Sequence, residues 1–288
     1  MKAGLLLLLL VAAVTVSGCT ADVNNGGTTE IKNNEIVVLE NVEAVPSEVR
    51  PERNFVLSGF VTNKAGAKVN NVRIELADYC VSVFDATKTS CSLTTFEGYS
   101  GCVFSLNLDA SSKFQWNFKA PPAGRTAGRD FDCNMIVKTN YSYTARGSTG
   151  VILANDAGIA ARETGPSPVT GAGPVKIYIT VETEQPVGKA ETFDVKIILK
   201  NEGAGELEAP IPRESFRFNR PEGLSGGCDI PATITIPKTK KESDPIYCTF
   251  GSPSILPPRV TRFLTADADY SYKFSSSVPV KLSVVKQI

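Results

Sequence analysis

Residues 193–201 read FDVKIILKN, and the turn-forming residues EGAG follow them. Residues 55–63 read FVLSGFVTN, and the similar residues KAG follow them. In both stretches alternating apolar or β-branched residues run from a Phe to an Asn at the same spacing. This pattern is typical of a β-strand that ends in a hairpin turn. The sequence therefore predicts the same strand and turn twice.

Further matches follow in the same order along the chain. Residues 98–102 resemble 223–228, residues 140–143 resemble 269–272, and Cys133 and Cys248 each precede the Tyr-Ser-Tyr motif. We interpret the matches as two copies of one domain, residues 35–154 and 174–288. Between them, residues 155–173 are rich in Gly, Pro and Ala and predict a linker. The linker is long enough that the two units need not share a core.

The pattern of short strands predicts the fold class. In the second copy, apolar runs at 175–181, 193–199, 233–236, 270–274 and 278–285 are separated by Gly, Pro or Asn. We find no amphipathic helix of three turns after the N-terminal segment. Many short strands in a unit of about 100–120 residues are typical of a β-sandwich. The expected fold is all-β, with two tandem immunoglobulin-like β-sandwiches.

The N-terminal segment predicts export. Residues 1–18 form a signal peptide in which one Lys precedes an apolar run and small residues. The run is shorter than the about 20 apolar residues that a transmembrane helix needs. Residues 16–19 (VSGC) resemble the lipobox of prokaryotic lipoproteins, which implies cleavage before Cys19 and a lipid on its sulfur. Residues 19–34 then predict a flexible tether. The alternatives are secretory cleavage after Ala21 and an uncleaved signal anchor.

The number of cysteines indicates disulfides. The chain has seven, and Cys19 as the lipid site leaves six, an even number in an exported protein. They are Cys80, Cys91, Cys102, Cys133, Cys228 and Cys248. Bridging of equivalent positions in the repeat predicts Cys102–Cys133 and Cys228–Cys248, with Cys80–Cys91 as a local addition. Cross-pairing in the first copy, 80–102 with 91–133 or 80–133 with 91–102, is the alternative.

The strand that ends in an Asn and Gly turn, the Cys-closed hairpin and residues 116–121 (WNFKAP) before a Tyr-x-Tyr strand carry a resemblance. They resemble immunoglobulin-like modules of exported archaeal proteins and, more loosely, the bacterial cell-adhesion-related domain. The resemblance spans most of both copies, and it implies extracellular display, adhesion or structural spacing without an active site. The second copy departs from the pattern because it has no Trp, and residues 235–237 stand near the place of that segment.

Composition argues against several functions. Thirty Lys+Arg balance thirty Asp+Glu, so the chain lacks the basic excess of a nucleic-acid groove. Without His it cannot build a Ser-His-Asp or Cys-His unit or an imidazole metal site. Residues 223–227 have the Gly-x-Ser-x-Gly spacing but no His base, so we interpret them as a hairpin turn. We interpret Ser277 with Lys281, and Ser112 with Lys113, as ordinary surface residues rather than catalytic pairs. We expect no enzyme and no cofactor.

Three sets of residues are candidate binding or modification sites. Alternating tyrosines form a candidate stacking surface for sugars, although core packing is their commoner use; they are Tyr141, Tyr143, Tyr270 and Tyr272. Two carboxylate pairs, one in each copy, are weak candidates for Ca²⁺, although each supplies only part of the about six to eight oxygen ligands that the ion takes; they are Asp130 with Asp132 and Asp267 with Asp269. Asn140 begins an Asn-x-Ser sequon and is a candidate glycosylation site.

These features together predict an exported protein that a lipid anchor holds at the outer face of the cell membrane. Its expected role is non-enzymatic: binding, adhesion or structural spacing at the envelope. The expected partners are the membrane and another surface protein or a glycan, and not nucleic acid. The alternatives are a glycan- or small-ligand-binding module and an accessory subunit of an envelope complex.

Overall fold

The computed structural model describes residues 34–77, 84–91, 101–126, 129–159 and 163–283. Residues 1–18, predicted as a signal peptide, and Cys19 lie outside these residues. The strands are β1 (Val37–Val45), β2 (Glu48–Val49), β3 (Asn54–Asn63), β4 (Val69–Ala77), β5 (Asp85–Cys91), β6 (Gly101–Leu106), β7 (Ser111–Lys119), β8 (Phe131–Ala154), β9 (Val169–Thr170), β10 (Val175–Val181), β11 (Thr192–Asn201), β12 (Glu206–Leu207), β13 (Ile211–Pro212), β14 (Phe216–Asn219), β15 (Ser225–Cys228), β16 (Thr233–Ile234), β17 (Ile246–Gly251) and β18 (Arg259–Leu282). The only helices within the described ranges are two 3₁₀ turns, Ala123–Thr126 and Arg213–Ser215. The prediction of an all-β sandwich fold is confirmed. No helix within those ranges has the length and apolarity needed to cross a membrane.

Three large sheets build the molecule. Sheet I has the order β1-β3-β7-β5, and sheet II has the order β10-β11-β17-β15. The central sheet has the order β12-β18-β8-β4-β6, with β2 and β14 on β18 and β9 on β8, while β13 and β16 form a separate pair. Sheet I meets the central sheet where β1 contacts β18 and β6 contacts β7, and sheet II meets it where β10 contacts β8 and β18. One buried apolar cluster joins residues of all three sheets.

The backbone of the central sheet is a ribbon formed by β8 and β18. Each strand has 24 residues, and they pair antiparallel from Phe131 opposite Leu282 to Ala154 opposite Arg259. At about 3.3 Å per residue, the contour length of the ribbon is about 80 Å. On β8 the odd-numbered residues from Cys133 to Leu153 face the core, as the even-numbered ones do on β18 from Leu264 to Leu282. We call the opposite side the outer face of the ribbon.

The ribbon joins the two sequence repeats. Residues 136–140 of β8 pair with β4 on one side, while their partners on the other side, residues 273–277, belong to the second repeat. Conversely, β14 pairs with residues 265–268 of β18, whose partners on β8, residues 145–148, belong to the first repeat. The prediction that the two units need not share a core is therefore wrong. Strands of both repeats thus form one sheet, in which the last strand of each repeat pairs with the last strand of the other.

A pseudo-twofold axis passes through the middle of the ribbon. Ser142 lies opposite Ser271, with Tyr141 opposite Tyr272 and Tyr143 opposite Tyr270. The two Tyr-Ser-Tyr motifs of the repeat thus pair with each other. The two motifs that match in sequence therefore also contact each other across the axis.

Strands β3 and β11 confirm the repeat in detail. Asn63 and Asn201 end these strands, and each side chain donates through Nδ2 to a carbonyl four residues on, Ala67 O at 2.9 Å and Gly205 O at 2.8 Å. Each Oδ1 accepts from the backbone N–H two residues on, Ala65 N at 2.8 Å and Gly203 N at 3.0 Å. Both side chains are buried, so they satisfy backbone groups of the following turn that water does not reach.

The pairing of β3 with β7 and of β11 with β17 also identifies the residue of the second repeat that is equivalent to Trp116. Leu57 on β3 lies opposite Trp116 on β7, and Val195, which is equivalent to Leu57, lies opposite Cys248 on β17. The segment equivalent to residues 116–118 is therefore 248–250, not the neighbourhood of residues 235–237. Cys248 replaces the buried indole with a disulfide to Cys228, with the two Cα atoms 3.9 Å apart. This confirms the predicted Cys228–Cys248 bridge.

The predicted Cys102–Cys133 bridge is wrong. Cys102 on β6 lies opposite Ile74 of β4, and Ile74 lies opposite Thr139 of β8, six residues from Cys133. At about 3.3 Å per residue this is about 20 Å along the strand, far beyond the about 7 Å that a disulfide spans between Cα atoms. Both cysteines are nevertheless disulfide-bonded. The local Cys80–Cys91 pair therefore fails as well, because these two are needed as partners.

We expect the bridges of the first repeat to be Cys80–Cys133 and Cys91–Cys102. The side chains of Cys80 and Cys91 lie outside the described residues, but Ala77 pairs with Ile136. Cys80 is three residues from Ala77 in the sequence, and Cys133 is three residues from Ile136. Mapping of disulfide-linked peptides under non-reducing conditions checks this expectation. A peptide joining Cys80 to Cys102, or Cys91 to Cys133, would contradict it.

Candidate functional site

The four candidate tyrosines meet at the middle of the ribbon, on its core face. Ring centroids lie 5.6 Å apart for Tyr141 and Tyr272, and 6.4 Å apart for Tyr143 and Tyr270. Tyr141, Tyr270 and Tyr272 are at most 5% exposed, and Tyr143 is half-buried. Tyr141, Tyr270 and Tyr272 cannot form the predicted stacking surface for sugars, because their rings are buried in the core, whereas Tyr143 is half-buried and contributes to the lining of a groove. The alternation showed that the rings share one face but not that this face is buried.

Burial also fixes the charge state of these tyrosines. Removal from water raises the pKa of the Tyr270 and Tyr272 hydroxyls well above the ordinary value of 10.0. It raises the pKa of Tyr141 in the same way, and the nearby Glu35 carboxylate adds to the effect. The hydroxyls are therefore protonated donors at neutral pH and cannot act as bases.

Glu35 ties the N-terminal segment to this cluster. Its Oε1 accepts from Ala204 N at 2.7 Å and from the Tyr272 hydroxyl at 3.3 Å, and its Oε2 accepts from the Tyr141 hydroxyl at 3.4 Å. The neighbouring Asn34 donates to Glu202 at 3.0 Å. The carboxylate is 9% exposed, so these donors replace the water that it would otherwise need. Sequence reasoning missed Glu35 because one acidic residue after a polar segment carries no pattern.

The two carboxylate pairs proposed for Ca²⁺ lie far apart on the ribbon. Asp132 lies opposite Lys281 at one end of the ribbon, and Asp267 lies opposite Arg146, about 45 Å further along. Asp269 binds Arg217 through two hydrogen bonds of 2.6 and 3.1 Å, and these lower the pKa of Asp269. Arginine thus occupies the oxygens that a cation would use. Within the described ranges no three His, Cys, Asp or Glu residues are grouped to hold a metal ion.

Asn140 lies in the middle of a sheet rather than at the head of a strand. Its neighbours across the two adjoining strands are Arg73 on β4 and Lys273 on β18, and its Oδ1 is buried. Glycosylation sequons are typical of surface loops, so this position is unfavourable for modification.

The residues considered for a nucleophile elbow or a Ser/Lys pair do not have the geometry that catalysis would need. Ser225 begins strand β15 and no helix follows it, which is not the geometry of a nucleophile elbow. Ser277 and Lys281 lie on one strand about 13 Å apart, and Ser112 and Lys113 are adjacent on β7 and point to opposite faces. None of these pairs is within hydrogen-bond reach.

Two grooves lie on the outer side of the ribbon. The first groove has a volume of about 820 Å³ and the second about 810 Å³. The first includes Ser142, Thr144, Asp269 and Ser271 from the ribbon, residues 66–71 from the first repeat and residues 209–212 from the second. The second includes Lys138, Asn140, Lys273 and Ser275 from the ribbon and residues 204–210.

The grooves are related by the pseudo-twofold axis. Each is walled by the turn that follows the Asn at the end of β3 or β11, and the two grooves share Ala209 and Pro210. Because β8 and β18 both line each groove, neither groove would exist in an isolated repeat. Sequence reasoning could not find them, since the two repeats do not reveal that their last strands pair.

No protein-family model matches the sequence, and no curated protein matches it.

Proposed function

We propose that the chain is an exported, lipid-anchored protein of the cell envelope that acts without catalysis, as a stiff module for display or spacing. The observation that supports the mechanical role is the ribbon, in which 24 residues of each repeat pair without interruption. A hinge between the repeats would have to break these pairs and their buried side chains. A continuous sheet of about 80 Å is suited to hold the two repeats in one fixed relative orientation.

The sequence supports the anchoring. The apolar run of residues 3–16 and the VSGC motif at 16–19 fit export followed by lipid attachment at Cys19. Two acyl chains hold a protein firmly on a membrane, since each buried methylene contributes about 0.8 kcal/mol. Disulfide-bonded Cys102, Cys133, Cys228 and Cys248 agree with folding outside a reducing compartment.

A Cys19→Ser change tests the anchor. We expect the native chain to fractionate with membranes, with an intact mass that begins at Cys19 and includes lipid. The Cys19→Ser variant should lose the lipid and leave the membrane fraction, because no sulfur remains to be acylated. Intact mass spectrometry of membrane and supernatant fractions is the measurement, and a Thr20→Ser variant is the matched control. A native chain that begins at Asp22 without lipid would refute the proposal.

A further inference from the structure

The two grooves form one trough that crosses the middle of the ribbon. They adjoin each other, because they share Ala209 and Pro210 and are lined by successive outward-facing residues of the same two strands. The residues of β8 that line the two grooves run from Lys138 to Arg146, a distance of about 25–30 Å along the strand. We call this surface the ribbon trough. Its length suits an extended polymer better than a compact small molecule.

The ribbon trough combines polar side chains with apolar ones. Near the pseudo-twofold axis it presents hydroxyl groups of Ser142, Thr144 and Ser271, and Asn70, Asn71 and Asn140 contribute amides. These groups both donate and accept hydrogen bonds, as sugar hydroxyls do. Thr144 donates to Asp269, and the Ser142 and Ser271 hydroxyls lie 3.4 Å apart, so part of this capacity is already used within the protein. An apolar helix or a hydrophobic ligand would displace water from the remaining capacity without replacing its hydrogen bonds.

The charges within the ribbon trough leave a cationic excess. Asp269 is bound by Arg217, and Glu206 pairs with both Lys238 and Lys273. Glu75 lies opposite Lys138 but pairs with Arg73, at 3.4 Å.

Three lysines remain without a carboxylate partner. Among the described residues, Lys68, Lys138 and Lys241 have no carboxylate within 4.0 Å, and Glu208 is the corresponding free anion. Lys68 belongs to the first groove, whereas Lys138 and Lys241 belong to the second. The free positive charges therefore lie along the trough rather than at one point.

We propose that the ribbon trough binds an extended acidic glycan, with Lys68, Lys138 and Lys241 contacting its carboxylates and the hydroxyl and amide side chains contacting its sugar hydroxyls. The carboxylates of the glycan would accept hydrogen bonds from the three lysines. Its sugar hydroxyls would both donate to and accept from the hydroxyl and amide side chains of the trough. The inference goes beyond the proposed envelope role, because binding in the trough requires the paired repeats but not the lipid.

Titration calorimetry of the detergent-purified full chain tests the inference. The probes are hexagalacturonate, which carries a carboxylate on each ring, and maltohexaose, which is neutral. We expect the acidic hexamer to bind at least tenfold more tightly than the neutral one, with an affinity that falls as salt is raised. The combined Lys68→Ala, Lys138→Ala and Lys241→Ala variant should lose at least tenfold in affinity.

A lysine outside the ribbon trough provides the control. Lys281 is exposed on β18 near the end of the ribbon, and Lys281→Ala should leave the affinity within twofold of the native value. All four positions have exposed or half-exposed side chains, so circular dichroism should show that every variant folds. Absence of hexagalacturonate binding, equal binding of maltohexaose, or native affinity in the triple variant would each overturn the inference. None of these results bears on the anchor, which the fractionation of Cys19→Ser tests separately.

Discussion

A chain that ends after Ala154 is expected not to fold as a monomer, although it contains the complete first repeat. It lacks β18, the partner of every residue of β8. The large inward side chains lost with β18 are Leu264, Tyr270, Tyr272, Val278, Val280 and Leu282. Burial of each contributes about 1.5–3 kcal/mol. Their combined contribution is comparable to the about 5–15 kcal/mol by which a whole domain is stable.

The shortened chain should therefore be unfolded, or should associate through β8. The pseudo-twofold axis makes association plausible, since β8 of a second copy can take the place of β18. Light scattering after size exclusion, with circular dichroism, distinguishes these states. As a control, residues 1–173 and 174–288 produced together as separate chains keep the ribbon and should assemble one to one. A folded monomer of the shortened chain would contradict the shared sheet.

A Tyr272→Ala change is expected to lower the free energy of unfolding by about 3–5 kcal/mol, the range seen for large buried aromatics. Tyr272 is fully buried at the middle of the ribbon, and its hydroxyl donates to Asn201 at 3.1 Å and to Glu35 at 3.3 Å. Truncation leaves a cavity between the two repeats and removes a donor from both acceptors. Urea denaturation, analysed for midpoint and slope, is the measurement.

Two further tyrosine variants separate packing from hydrogen bonding. Tyr272→Phe keeps the ring, and Asn201 and Glu35 each retain a backbone donor, so we expect a loss of only about 1 kcal/mol. Tyr247→Ala removes a ring that is 54% exposed and should cost less than about 0.5 kcal/mol. A loss below about 1 kcal/mol for Tyr272→Ala would mean that the ribbon core is not the main link between the repeats.

The local sequence pattern was sufficient to predict the strands but not to predict which strands pair with each other. The stretches 55–63 and 193–201 alternate clearly, and they form β3 and β11 with the same Asn-centred turn. The pairing of β8 with β18 joins residues more than a hundred positions apart. Periodicity carries no information about such a contact, because each strand has the same pattern whether its partner is in its own repeat or in the other.

The disulfide error has a related cause. Residues 98–102 and 223–228 look alike, but Cys102 lies on β6 of the central sheet and Cys228 lies on β15 of sheet II. Short Gly- and Ser-containing motifs mark turns, and turns recur at places that are not equivalent. For the tyrosines, alternation indicated a common face, but only the packing of β10 on the ribbon shows that this face is the core. There, a Cβ at Gly147 would collide with the carbonyl oxygen of Ile177.

The attachment of Glu35 near the centre of the ribbon has a mechanical consequence. Glu35 lies beside Tyr141 and Tyr272, one residue from the symmetry axis, so each end of the ribbon is about 40 Å away along the strands. With the proposed anchor at the N-terminal end of the segment before Glu35, the ribbon would extend to similar lengths on the two sides of its attachment. A ligand in the ribbon trough would therefore lie close to this attachment and midway between the two ends of the ribbon.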